Sequence, residues 1–202
     1  MKKYPSIALL ELSSIAVGIF AADTMVKKAP ITVLKSGTVH NGKYLILIGG
    51  SVGSVEESYY TGIDSGEEKL IDQVQLPDIH EKVHDAILGS RQNCTGEAIG
   101  IIETSTVAAI IKSSDAAVKG ADVEILEIRI ADDLGGKAFA IFNGEIEDVQ
   151  SAIEISKENV TKKEFWVRDK IIPRISTEMM EQINQTTVFK NVSLNILPES
   201  EI

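Results

Sequence analysis

A chain of 202 residues accommodates one large domain or two of about 100 residues each, with a core that needs no disulfide or metal to hold it. A net charge of −10 and an aromatic content of 5% argue against nucleic acid and anionic membranes as partners, since both call for a basic footprint and single strands for stacking platforms. The single cysteine, Cys94, excludes an internal disulfide and any four-cysteine metal site in one chain, and it fits a reducing cytoplasm.

Lys2 and Lys3 precede an apolar run from Ile7 to Ala22, the outline of a secretory signal. Glu11 interrupts that run, and nearly the same segment returns in mid-chain, where no signal operates. No stretch reaches the ~18 uncharged apolar residues of a membrane span. Ile7–Leu12 instead reads as a buried strand. Ser13 or Ser14 caps a helix that runs to about Lys28 and ends before Pro30. Ile31–Leu34 and Tyr44–Ile48 are two further strands, joined by the polar turn Ser36–Gly42. Val52–Asp64 is a second helix with Val52 and Val55 on its inner face; Leu70–Leu76 is a fourth strand, and a short helix closes the set from about Ile79 to Leu88.

The same order then repeats. Ile7-Ala8-Leu9-Leu10-Glu11-Leu12 returns as Ile99-Gly100-Ile101-Ile102-Glu103-Thr104; Asp23, Lys27 and Ala29 meet Asp115, Lys119 and Ala121. Gly42-Lys43 meets Gly136-Lys137, and Leu76-Pro77 meets Ile172-Pro173. Self-similarity of this kind implies a duplicated domain. The second copy has its best strand at Ala138–Phe142 and its second helix at Ile146–Glu158. The domains are 1–92 and 97–183, with a C-terminal extension at 184–202, and each is a split βαβ, ferredoxin-like unit of an α/β (α+β sandwich) fold. Cys94 falls in the polar segment between the copies and reads as an incidental linker thiol. In the extension, Val188-Phe189 and Ile196-Leu197 either dock on a surface or fray.

Several motifs suggest chemistry and fall short of it. Gly37-Thr38-Val39-His40-Asn41-Gly42-Lys43 is most of a phosphate-binding loop, but Tyr44 stands where Ser or Thr must bind magnesium, and a strand follows where a helix is needed. His80 and His84 are one helical turn apart, the spacing of a metal pair, yet no third ligand is near and they read as solvated. Glu11 and Glu103 recur at one place, before a capping Ser or Thr, and read as structural. No Ser-His-Asp or Cys-His constellation is discernible, so no enzyme activity is expected.

The runs 7–16 and Ala-Ala-Asp-Thr-Met-Val-Lys-Lys-Ala (21–29) resemble the bacterial microcompartment shell domain, as does Ser114-Asp115-Ala116-Ala117-Val118-Lys119 in the second copy. Pro173-Arg174 resembles the Pro-Arg near that domain's end. The resemblance covers about residues 6–183 and is most similar to the tandem, trimeric class, including the propanediol-utilisation type with a central iron–sulfur cluster. It implies a structural facet protein of a cytoplasmic shell: a homotrimer of six domains, a pseudohexamer, assembling with other shell proteins and with encapsulated enzymes. It implies pore-lining loops at Thr38, Val39, His40, Asn41 and Gly42 and at Asp132, Asp133, Leu134, Gly135 and Gly136, through which metabolite, ion or electrons pass. It places Lys27, Lys119 and Arg174 at the assembly edge; Asp78 replaces the arginine in the first copy. Where the iron–sulfur type carries a cysteine, this chain has His40, so a cluster is not expected; three His40 side chains at a three-fold axis would instead suit a metal ion, or an open pore that binds nothing. A redox conduit and a ligand-binding regulatory trimer stand as alternative functions.

Overall fold

A computed structural model describes residues 4–95 and 98–192. Strand β1 (Ser6–Leu12) is buried along its whole length, Glu11 included, as suits a mainly apolar strand covered on both faces. Helix α1 (Ile15–Lys28) follows, with Ser14 as its N-cap accepting from the Val17 N–H. Strands β2 (Thr32–Val39) and β3 (Lys43–Gly50) form a hairpin, α2 (Val52–Gly66) crosses back, and β4 (Leu70–Leu76) completes the first sheet. Helix α3 (Glu81–Ile87) closes the unit. The second copy repeats this as β5 (Ala98–Thr104), α4 (Val107–Gly120), β6 (Glu124–Ile130), β7 (Ala138–Gly144), α5 (Ile146–Glu158), β8 (Trp166–Ile172) and α6 (Thr177–Gln185). The two sheets have the orders β2-β3-β1-β4 and β6-β7-β5-β8, antiparallel throughout.

Register makes the copies equivalent residue by residue. Glu11 stands opposite Asp72 across β1 and β4, and Glu103 opposite Arg168 across β5 and β8. Both pairs are followed by an irregularity at the next residue of the first strand.

Each sheet buries both faces. In the first, Ala8, Leu10, Ile46 and Ile48 meet Ala21 and Met25 of α1 and Val55 and Tyr59 of α2. Gly62 of α2 is required by that packing, because a Cβ there would lie 2.5 Å from Leu10 and Met25 side-chain atoms. On the opposite face, Leu9, Leu47 and Val74 pack with Val83 and Ile87 of α3, and this cluster continues without a break into Val107, Ile110, Ile111 and Phe142 of the second domain. The domains therefore share one core. Full burial of each such aliphatic side chain contributes about 1.5–3 kcal/mol, so the junction is a rigid packing contact.

Four sequence expectations change. Ser36–Val39, expected in the turn, continue β2 in register with Tyr44–Ile46 and Lys43, because alternating polar residues suit an edge strand. Val52 is 43% exposed at the first residue of α2, while Val55 is buried as expected. Cys94 is no loose linker residue. It is 6% exposed among Ile99, Leu126, Ile141 and Ile175, and its N–H donates to Asn184 Oδ1 at 2.7 Å. Nor are both histidines free in solvent: His80 is half-buried and caps α3, accepting from the Lys82 N–H at 3.2 Å, and His84 is 1% exposed with Nδ1 3.1 Å from Asp85 Oδ1. Beyond α6, Arg129 donates to the Thr187 carbonyl, and Thr187 Oγ1 donates to Glu127 Oε2 at 2.7 Å. Val188 is thereby seated on the body of the protein, while Phe189 is 94% exposed. Ile196-Leu197 lie outside the described residues.

Candidate pore turns and domain junction

The β2–β3 connection narrows to His40–Gly42. Asn41 (φ 65°) and Gly42 (φ 70°) occupy the left-handed region that these two residue types tolerate best. The β6–β7 connection is longer, and Ala131 (φ 56°), Asp133 (φ 60°), Gly135 (φ 61°) and Gly136 (φ 82°) share that conformation. Ala131 is held there by burial and by its N–H donating to the Lys137 carbonyl at 3.0 Å. The two turns lie side by side: Asn41 Nδ2 donates to the Gly135 carbonyl at 2.8 Å. At Gly136 the positive φ, and not lack of room beside Lys43, is what calls for glycine. Thr38, His40, Asp132 and Asp133 are exposed; Val39 and Leu134 are half-buried. A cleft of about 430 Å³ opens beside them, floored by Leu9, Leu45 and Leu47 and edged by Thr38, Arg129 and Asp132.

Behind the turns lies a polar seam between the domains. Lys43 Nζ bonds Glu11 Oε1 at 2.7 Å, and Glu11 Oε2 accepts the Val107 N–H at 2.9 Å. Val107 is the first residue of α4, whose N-cap Thr106 makes no side-chain cap of its own. The first domain thus caps the second domain's helix with a carboxylate, which the helix dipole favours. Burial pushes the Glu11 carboxyl above its ordinary value; Lys43 and the Val107 N–H oppose that rise without cancelling it. Asp72 Oδ2 accepts from the hydroxyls of Thr106 (2.6 Å) and Thr161 (2.8 Å).

The expected edge residues separate. Lys27 pairs with Asp23 at 2.5 Å on an exposed flank, with 73% of its side chain in solvent. Lys119 makes the same pair with Asp115 at 2.6 Å, but it also donates to the Asp78 carbonyl, while Asp115 Oδ1 accepts the His80 N–H at 2.7 Å. Lys119 is therefore part of the junction within the chain. Arg174 is exposed between β8 and α6. Among the described residues, no group of three His, Cys, Asp or Glu in one chain is arranged to hold a metal. Sequence reasoning did not find the Asp72–Thr106–Thr161 cluster. The one available signal was that Asp72 and Arg168 differ in charge at equivalent positions.

The BMC domain family matches residues 6–79 and again 98–175. The chain belongs to that family, twice over. A relative, the bacterial microcompartment shell protein PduT of Citrobacter freundii, is 37% identical over 178 residues, spanning 88% of this chain and 97% of that one. The carboxysome assembly protein CcmO of Synechocystis sp. is 23% identical over 188 residues, 86% of this chain and 63% of that protein. A microcompartment protein of Desulfitobacterium hafniense DCB, known from its crystal structure, superposes with a TM-score of 0.76 at 34% identity, over 87% of this chain and 98% of that one. The fused permuted hexameric shell protein MSM0275 of the RMM microcompartment superposes with a TM-score of 0.55 at 17% identity over 78% and 82% of the two chains, a likeness of fold. This tandem BMC-domain chain is a structural component of a bacterial microcompartment shell in the cytoplasm and not an enzyme. It assembles with other shell proteins.

Proposed function

We propose that three copies of this tandem shell protein close head to tail into a six-domain facet tile, with the His40–Gly42 and Ala131–Gly136 turns around its axis. The contrast between two equivalent helices carries the reading. Val107 and Ile111 of α4 are fully buried against the first domain, whereas their counterparts Ile15 and Ile19 on α1 are 40% and 55% exposed, beside Phe20 at 59%. An apolar patch of this kind marks an interaction surface, and the surface that covers it on α4 is one this chain already carries. Glu103 and Lys137 repeat the Glu11–Lys43 pair at the same 2.7 Å, with Glu103 still partly in solvent. A head-to-tail contact that repeats closes into a ring when its rotation allows. Such a tile admits small metabolites through its axis, selected by the exposed groups on the turns, and meets neighbouring tiles through Lys27 and Arg174. It also presents a face to enclosed enzymes. Light scattering tests the ring: the expected mass is that of three chains, and a monodisperse monomer or dimer at micromolar concentration overturns it.

A second reading concerns His40, exposed at the tip of its turn. Three such imidazoles at the axis would bind a zinc-like ion tetrahedrally at ~2.0–2.1 Å, with water as fourth ligand. Because no single chain offers a metal group among the described residues, the ion would require the trimer. Elemental analysis of untagged protein supplied with zinc tests it against His40→Ala; metal at one equivalent per three chains, lost in the variant, is the expected result.

A further inference from the structure

The two domains differ in charge at one pair of facing segments. In the first domain, Asp72 lies at the junction, and the segment it meets on the second domain is Thr161-Lys162-Lys163, through the Thr161 hydroxyl at 2.8 Å. The acid of one domain thus faces a basic segment of the other. In the second domain, the residue at Asp72's place is Arg168: Arg168 pairs in register with Glu103 as Asp72 pairs with Glu11. The segment equivalent to Thr161-Lys162-Lys163 is Ser65-Gly66-Glu67, which ends α2 and leads towards β4, followed by Glu68 and preceded by Asp64. Asp72 is thus replaced by Arg168, and the net charge of the facing segment reverses with it: Val160–Phe165 holds two lysines and one glutamate, whereas the equivalent Asp64–Lys69 holds three acids and one lysine, Glu164 and Glu68 being acidic in both copies. Arg168, Asp64 and Glu68 are all exposed in the single chain, whereas Asp72 is 4% exposed.

We infer that Arg168 docks on the acidic segment Asp64–Glu68 of a second copy of this chain, and that this reversed pairing dictates which domain follows which around the ring. The inference rests on the head-to-tail reading above and adds its specificity. The occupant is fixed by charge. A second domain offered to another second domain would set Arg168 against Lys162 and Lys163, and a first domain offered to another first domain would set Asp72 against Asp64 and Glu68. Like charges so placed penalise the wrong order, which is how interfaces reject partners of similar shape. Only alternation of the two domains matches opposite charges at every junction. At this one place the junction inside the chain uses Asp72 with two neutral hydroxyls, while the one between chains adds an ion pair, so salt weakens association.

Dilution series monitored by light scattering, with wild type, Arg168→Glu and the swap Arg168→Glu/Asp64→Lys/Glu68→Lys, decide the matter. Thermal melts at low concentration establish that each chain is folded. The trimer of Arg168→Glu is expected to dissociate at a concentration about tenfold or more above wild type, and the swap to recover most of that loss. Arg168→Gln is expected to fall between, and its midpoint to be less sensitive to salt than that of wild type. A wild type that is never trimeric removes the ring reading and this inference with it. A trimeric wild type with an unchanged Arg168→Glu midpoint, or a swap that restores nothing, overturns the pairing and leaves the ring intact.

Discussion

Glu11, at the end of the first strand of one domain, accepts the backbone N–H of Val107, the first residue of a helix in the other, at 2.9 Å. Its second oxygen is held by Lys43 at 2.7 Å. A buried carboxylate thus serves as cap, ion pair and domain clamp. Lys43→Met leaves that carboxylate buried without its cation, a loss of about 3–5 kcal/mol near neutral pH. Removing Lys43 takes away attractions that hold the Glu11 pKa down, so the folded-state value, already raised by burial, rises further. A group whose folded pKa exceeds its unfolded one costs stability as pH climbs between the two values. The deficit of Lys43→Met relative to wild type is therefore expected to be largest above the variant's folded pKa and to shrink as pH falls from that value to the wild type's own raised one, both above the ordinary glutamate value. Urea unfolding of variant and wild type across that range checks it; a deficit independent of pH refutes the assignment.

Ile19 and Ile111 occupy equivalent helix positions with opposite exposure, 55% and 0%. Ile111→Glu buries an unpaired charge and is expected to prevent folding. Ile19→Glu is expected to keep the monomer's melting temperature and abolish the trimer, read by light scattering.

The two edge lysines are expected to part company. Lys27→Ala removes an exposed i,i+4 pair and changes stability by no more than ~0.5 kcal/mol, while abolishing sheet formation in electron micrographs. Lys119→Ala withdraws a donor from Asp78 and a partner from Asp115 at the junction, and about 1 kcal/mol of stability is expected to go with it. Equal melting curves for the two variants count against this division.

Cys94 packs against Ile99, Leu126 and Ile175 and is expected to resist thiol reagents in the native state. Rapid labelling without denaturant contradicts that placement.

The strands, helices and duplication were legible because each depends on short-range pattern. The apolar run Ile7–Leu12, the cap at Ser14 and the helix Ile146–Glu158 follow from neighbours in sequence, and a repeat needs only the sequence itself to be seen. The adjacency of the two turns was implied by the family resemblance, and the Asn41–Gly135 bond joins residues 94 apart. What only the tertiary structure decided is the partner of each polar group. Glu11 and Glu103 look alike in the chain, yet one is sealed beneath a helix from the other domain and the other remains partly in solvent. Lys27 and Lys119 look alike too, and differ for the same reason. Cys94, in a segment polar enough to pass for a tether, is buried because Asn184 and the last helix fold back over it. Burial and pairing depend on which surfaces meet, and two copies of one motif acquire different neighbours once the first has packed against the second and the second has only another molecule left to meet.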